Sequence, residues 1–312
     1  MTSQVKTASR ALGAPVFVFP GQGPQTAAMF DGLRDRPEFP THHALLCDIV
    51  GTDVVGAVSR LGETFLQRNE IASLVTVFAS SLELARLRRE GIVPQGVAGY
   101  SVGQWMAMAA ADMLSIETLL ATVWRRAQLM NATEGGRDGS MLAVIGLPTE
   151  QVETVCASVV AQGDPVAVSN YNCVGQLTLA GTRRGIALVQ ASLAALKPKK
   201  MVAVAAAGAW HSPLLRAAVS PFRAFLDTIA LRQPKVPVMD NVTGKPLPAD
   251  PSALRDTLSQ HLAQPVRWDA CVRTLLAAGA GSVVEVGYGD MLSKFGFFID
   301  RRVQHVPSYR MA

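Results

Sequence analysis

The chain has 312 residues, a formal net charge of +5, 49% hydrophobic and 17% charged residues. That much apolar material suits one large folded domain with a smaller insert and excludes a disordered chain. The basic residues are scattered instead of clustered with aromatics, which argues against nucleic-acid binding. No apolar run reaches the ~20 residues of a membrane helix, and residues 1–14 read as a loose tail without the apolar core of a signal peptide.

Val16-Phe17-Val18-Phe19 predicts a buried strand. It stops at Pro20-Gly21 and feeds a Gly-rich loop, Gly21-Gln22-Gly23-Pro24-Gln25. His42-His43 falls in a polar stretch and reads as a solvated loop. Residues 71–89 predict a helix whose last turns carry Arg86, Arg88 and Arg89, favourable at the negative end of the helix dipole. Val97-Ala98-Gly99 is a short strand, followed by Tyr100-Ser101-Val102-Gly103 and a small-residue helix to Ala111; residues 116–130 form another helix.

Residues 131–139 are polar and Gly-rich and mark a boundary. Strand 141–145, helix 149–161, strands 166–170 and 176–180, helix 183–196 and strand 201–204 then follow in the order βαββαβ, the ferredoxin-like pattern. Beyond it come a helix at 213–226, an extended run at 236–240, helices at 252–262 and 268–278, and strands at 282–286 and 303–307. Strands alternate with helices on both sides of the insert. The expected fold class is therefore α/β, a large α/β-hydrolase-like subdomain with a parallel sheet (residues 15–132 and 207–312) plus an inserted ferredoxin-like subdomain (133–206).

Gly99-Tyr100-Ser101-Val102-Gly103 is G-x-S-x-G between a strand and a helix, the pattern of a nucleophile elbow. The sharp turn presents the serine hydroxyl at a helix N-terminus, where the following N–H can meet a developing oxyanion. A serine needs a base. Of the five histidines, His261 on a helix and His305 in the last strand read as structural. His211 follows a small-residue loop and precedes Ser212-Pro213, a helix start, in a sheltered position. The four cysteines, Cys47, Cys156, Cys173 and Cys271, show no CxxC pair or metal-ligand spacing, so free thiols in a reducing cytoplasm and no metal are expected.

Several ordered motifs carry a resemblance. Phe19-Pro20-Gly21-Gln22-Gly23-Pro24-Gln25 resembles FPGQGxQ, and Gly99 to Gly103 resembles GHSxG. Arg126-Ala127-Gln128-Leu129-Met130 resembles RGxLM, Asn170 to Gln176 resembles NxNxPxQ, and Gly208-Ala209-Trp210-His211-Ser212 resembles GAFHS. Asn241-Val242-Thr243-Gly244, Pro265-Val266-Arg267-Trp268 and Glu285-Val286-Gly287 complete the series. On these motifs, from Val16 to Val303, the chain resembles the malonyl-coenzyme A:acyl carrier protein transacylases and the acyltransferase domains of polyketide synthases.

The resemblance implies a malonyl transfer from coenzyme A through Ser101 to an acyl carrier protein, in fatty acid or polyketide biosynthesis, by a monomer with no resident cofactor. Ser101 matches the acylated serine and His211 the general base. The backbone N–H groups of Gln22 and Val102 match the oxyanion hole, and Arg126 matches the residue that grips the malonyl carboxylate. The carbonyl of Gln264 matches the group that orients the histidine, and Val102 and Trp210 sit where acyl choice is made. Tyr100, Gln104, Val174 and Tyr288 depart from the family's usual histidine, glutamate and prolines, which points to a divergent, pathway-specific branch. A hydrolase that clears carrier proteins and the malonyl-loading subunit of a malonate decarboxylase stay open as alternatives. Lys197, Lys199 and Lys200, with Arg183 and Arg184, are the expected docking surface for an acidic carrier protein, with Arg86, Arg88 and Arg89 as the alternative.

Overall fold

The computed structural model describes residues 14–23, 25–205 and 208–311; the expected tail at 1–14 lies outside it except for Ala14. In chain order the strands are β1 (Pro15–Phe19), β2 (Val97–Gly99), β3 (Gly139–Ile145), β4 (Val166–Cys173), β5 (Gln176–Thr182), β6 (Lys200–Ala203), β7 (Val266–Arg267), β8 (Ser282–Glu285) and β9 (Gln304–Pro307).

One sheet runs β2-β1-β8-β9 with every pair parallel. β1 is buried along its whole length, as a strand covered on both faces must be. Its side chains alternate between two cores. Phe17 and Phe19 enter the larger one with the helices Asn69–Arg89, Gly103–Ala110 and Ile116–Asn131. Val16 and Val18 enter the other with Trp268, Val272 and Phe295. The helix Asn69–Arg89 is buried on nearly every side, with Ser73, Thr76, Ser80 and Ser81 enclosed among its apolar residues, and runs through the larger core.

The second sheet runs β6-β3-β5-β4-β7. Its first four strands, with the helices Thr149–Ala161 and Arg183–Ala194, make the predicted βαββαβ unit. A separate core of Val144, Val152, Leu179 and Val189 fills it. β7, from the chain beyond this unit, adds in parallel to β4 through Asn170 and Tyr171, so the two parts share a sheet edge.

Some expectations change. His42 and His43 lie in a helix, Phe39–Val50, where His42 Nδ1 bonds Ser81 Oγ at 2.9 Å and the His43 ring stacks on Phe39. Residues Glu134–Asp138 form a short helix in the expected boundary loop. The helix expected at 213–226 begins as a 3-10 turn, Pro213–Leu215, and continues as Arg216–Asp227. The extended run at 236–240 contributes only two isolated bridges among the described residues, Val238 to Val97 and Met239 to Pro246. A further helix, Met291–Ile299, follows the motif Glu285-Val286-Gly287. The buried Glu285 carboxylate accepts from the N–H groups of Leu292 (3.0 Å) and Ser293 (2.7 Å) and so caps it.

His43, Cys47 and Asp53 bring three metal-capable donor atoms within 4.8 Å of one another, a grouping the sequence spacing does not announce. They already bond each other, Cys47 Sγ to His43 Nε2 at 3.3 Å and His43 Nε2 to Asp53 Oδ1 at 3.2 Å, while Asp53 also caps the next helix at Gly56. No helix among the described residues is long and apolar enough to cross a membrane.

Candidate active site

The elbow is built by two glycines. A Cβ on Gly99 would lie 1.9 Å from the carbonyl of Gly103, and one on Gly103 would lie 2.3 Å from the carbonyl of Phe19. Nothing larger than hydrogen fits where β2 crosses into the helix Gly103–Ala110. Ser101 at the apex takes φ 55°, a left-handed conformation that costs a residue with a Cβ and persists only where its surroundings enforce it. The enforcing group is Asn241. Its Oδ1 accepts from Ser101 N (2.9 Å) and its Nδ2 donates to Gly99 O (2.6 Å). Gln104 holds Asn241 in turn, its Oε1 accepting from Asn241 N at 2.9 Å. The departure from glutamate at position 104 thus leaves a neutral amide locking the elbow.

The structure brings Ser101 and His211 together across 110 positions, with Oγ to Nε2 at 2.6 Å. His211 also takes a left-handed φ, 58°. Its Nδ1 lies 2.9 Å from the carbonyl oxygen of His261. A carbonyl only accepts, so Nδ1 carries the proton and Nε2 offers its lone pair to the serine hydroxyl. The expected orienting group, the Gln264 carbonyl, is corrected here: the carbonyl hydrogen-bonded to Nδ1 is that of His261, three residues earlier, at the C-terminal cap of the helix Pro251–Gln260, while the Gln264 carbonyl acts on the ring in the same direction. The last carbonyls of a helix lack partners within it, which leaves His261 O free to accept. Burial, and after it the Arg126 charge, pushes the His211 imidazole down to about 3, so it stands neutral and ready as a base.

Arg126 is fully buried on the helix Ile116–Asn131, whereas its neighbour Arg125 is exposed. All three guanidinium nitrogens lack a hydrogen-bond partner among the described residues, and burial alone pushes its pKa down to about 10. It stays a cation at neutral pH, close enough to His211 and His261 for its charge to lower both.

Ser101 and His211 open into a cavity of about 210 Å³ lined by Gln22, Asn170, Asn172, Gln176, Trp210 and other residues of both parts. A larger cavity of about 510 Å³, beside Arg36, Glu83 and Tyr288, holds neither serine nor histidine. Gln22 is pinned by its side chain, Nε2 donating to Asn69 Oδ1 at 3.0 Å. Val102 immediately precedes the helix Gly103–Ala110, where the first N–H groups have no partner within the helix. Tyr100, in place of the family's histidine, packs its ring edge-on against Trp268 and donates its hydroxyl to Asn172 Oδ1 at 2.7 Å. It ties the elbow to the second sheet. Trp210 is buried, with its ring over Gly208 at the cavity wall.

Arg183, Arg184, Lys197, Lys199 and Lys200 are all exposed, and the three lysines have no acidic partner within 4.0 Å among the described residues. β6 leads directly from Lys200 to Val204 and Ala205 on the cavity lining. The alternative surface is engaged: Arg86 is buried against Glu83 and Glu90, Arg88 pairs with Asp112, and Arg89 with Glu38.

A serine on an elbow, with a neutral histidine on its hydroxyl at an open cavity, is an arrangement suited to chemistry through an acyl-serine. The family model described as acyl transferase domain matches residues 16–295, and the chain belongs to that family. It is 28% identical over 295 residues to the malonyl CoA-acyl carrier protein transacylase of Bacillus subtilis, covering 93% of this chain and 92% of the relative. The malonyl-CoA:acyl carrier protein transacylase of Xanthomonas oryzae is similar in structure with a TM-score of 0.88 at 30% identity, over 94% of each chain. A malonyl-transacylase in complex with its type II PKS acyl-carrier protein, PlMCAT with AntF, matches with a TM-score of 0.87 at 27% identity, over 95% of this chain and 94% of that one.

Proposed function

We propose that this enzyme takes a malonyl group from malonyl-coenzyme A onto Ser101 and passes it to the phosphopantetheine thiol of an acyl carrier protein. The observation that carries the reading is a buried, unpartnered Arg126 beside the Ser101–His211 pair. A guanidinium with no partner among the described residues is matched by a carboxylate at the far end of the acyl group, which it can hold with two parallel hydrogen bonds. A hydrolase of neutral acyl chains would have no use for that charge.

His211 Nε2 takes the Ser101 proton as Oγ bonds to the thioester carbon. The N–H groups of Gln22 and Val102 meet the oxyanion. The C–S bond then breaks, and the proton passes from His211 to the departing coenzyme A sulfur. The carrier thiol repeats the sequence in reverse: His211 takes its proton, sulfur attacks the acyl carbon, and Ser101 leaves with the proton restored. No resident cofactor takes part.

Intact-protein mass spectrometry after mixing with acyl-coenzyme A donors tests the reading. The wild type should gain one malonyl adduct and Ser101→Ala none. Trp210→Ser should accept methylmalonyl-coenzyme A more readily, because the ring occupies the wall where a 2-methyl branch would sit. An adduct that persists without Ser101 would end the assignment, and an unchanged donor ratio would remove Trp210 from acyl choice.

The carrier protein docks, in this reading, on Lys197, Lys199 and Lys200 at the head of β6. Reversing these three charges should slow malonyl transfer to the carrier several-fold at low salt and leave loading of Ser101 intact, since such contacts act on encounter rate. Equal slowing of both half-reactions would reassign the lysines to coenzyme A.

A further inference from the structure

Buried polar atoms in folded proteins nearly always have a hydrogen-bond partner, so those that do not need a reason. Around His211 five nitrogens have none among the described residues, on two side chains: Nε, Nη1 and Nη2 of Arg126, and Nδ1 and Nε2 of His261. Both residues are fully buried. The His261 ring lies on the His211 ring, with centroids 4.7 Å apart and planes at 32°. His261 therefore meets the catalytic base twice, by its carbonyl at Nδ1 and by its imidazole face. The carbonyl alone accounts for orienting His211. It does not account for a ring with both nitrogens idle, at a position where an apolar side chain would pack without that cost.

Burial, and behind it the charges of His211 and Arg126, keeps the His261 imidazole well below its ordinary pKa, so in the empty enzyme it is neutral and carries one N–H. That N–H lacks an acceptor, and the Arg126 N–H groups lack one too. A carboxylate supplies what both need. It has two oxygens with about four acceptor sites, of which a guanidinium fork uses two.

We propose that His261 is a specificity-determining residue, whose imidazole N–H donates to the acyl carboxylate that Arg126 holds. The inference rests on the malonyl reading above and extends it. The acyl group recognised is one whose distal carboxylate reaches past the open cavity, on whose lining neither Arg126 nor His261 appears, to the buried pair beside His211.

His261→Leu keeps the backbone carbonyl on His211 and removes the ring donor; His261→Gln restores a donor of similar reach. Single-turnover acylation of Ser101 is measured with malonyl-coenzyme A and, as a carboxylate-free reference, with p-nitrophenyl acetate. In His261→Leu the malonyl rate at subsaturating donor should fall about 10–100-fold, the worth of one hydrogen bond to a charged group. The acetyl rate should stay within about 3-fold, and His261→Gln should recover most of the malonyl rate. Equal losses on both donors, or no loss on either, overturn the proposal, since the ring then only packs beneath His211. If His261→Leu does not fold, the wild type decides by NMR. The His261 ring nitrogen resonances should shift further in the malonyl adduct than in the acetyl adduct, and equal shifts overturn the proposal. A wild type that forms no malonyl adduct would overturn the malonyl reading and this inference together; a normal wild-type adduct with an indifferent His261→Leu overturns this inference alone.

Discussion

His211→Ala should slow acylation of Ser101 by about 10²–10⁴-fold, the usual worth of a positioned base, while leaving the fold in place. The residue is buried and its Nε2 touches the serine at 2.6 Å, so no other described group takes its bond. What remains should be the contribution of the oxyanion donors and of binding. The pH dependence of the wild type follows from the same environment. An imidazole held at about 3 in the fold, against an ordinary value near 6.5, does not protonate at mildly acid pH. Acylation at subsaturating malonyl-coenzyme A, which reports the free enzyme, should therefore show no acid limb near pH 6.5. The unfolded chain does bind that proton. Stability is fully present above about pH 6.5 and declines as pH falls toward 3, by up to about 1.4 kcal/mol per pH unit for each such histidine; the buried His261, also held well below its ordinary pKa, adds in the same direction. Activity lost on acidification should thus coincide with loss of the circular dichroism signal. A folded enzyme whose rate falls with a midpoint near 6.5 would show that His211 is not held neutral.

The parts of this site that were legible in the sequence are those encoded locally. Gly99 and Gly103 bracket Ser101 because the turn itself admits no side chain there. The βαββαβ unit announces itself by alternating periods and turns within about 65 contiguous residues, long enough for pattern to outweigh local noise. The helix Phe39–Val50 was hidden because only Leu46 along it is fully buried, so it shows no apolar stripe. The helix Met291–Ile299 was hidden because its start is set by Glu285, a residue outside it. The carbonyl on His211 was misplaced by three residues because a motif match follows the order of side chains, whereas the bond depends on where the helix Pro251–Gln260 lets go of its last carbonyls. The ring of His261 could not be found from sequence at all. Its neighbours, His211 and Arg126, come from stretches 50 and 135 positions away, and only the packing of the helices brings them together.

Arg126→Met should make the empty enzyme more stable and nearly useless for malonyl. The guanidinium is charged, fully buried and without a hydrogen-bond partner among the described residues, so the fold carries its desolvation until substrate arrives. An unbranched apolar side chain of similar length fills most of the space and removes that cost. Exchanges of buried charge for packed apolar groups stabilise by about 1–4 kcal/mol, which in a chain of this size raises Tm by at least a few degrees. Malonyl loading should fall about 10²–10³-fold, the loss of two hydrogen bonds to a carboxylate, and transfer from a carboxylate-free donor should hold or rise. Differential scanning calorimetry and single-turnover mass spectrometry on the same preparation check both halves. The wild type should recover the missing stability on acylation, its Tm rising in the malonyl adduct and not in an acetyl adduct, because only the malonyl carboxylate satisfies Arg126. A variant that loses stability along with activity would mean that the guanidinium is paired within the fold, and the carboxylate site would have to be sought elsewhere on the cavity wall.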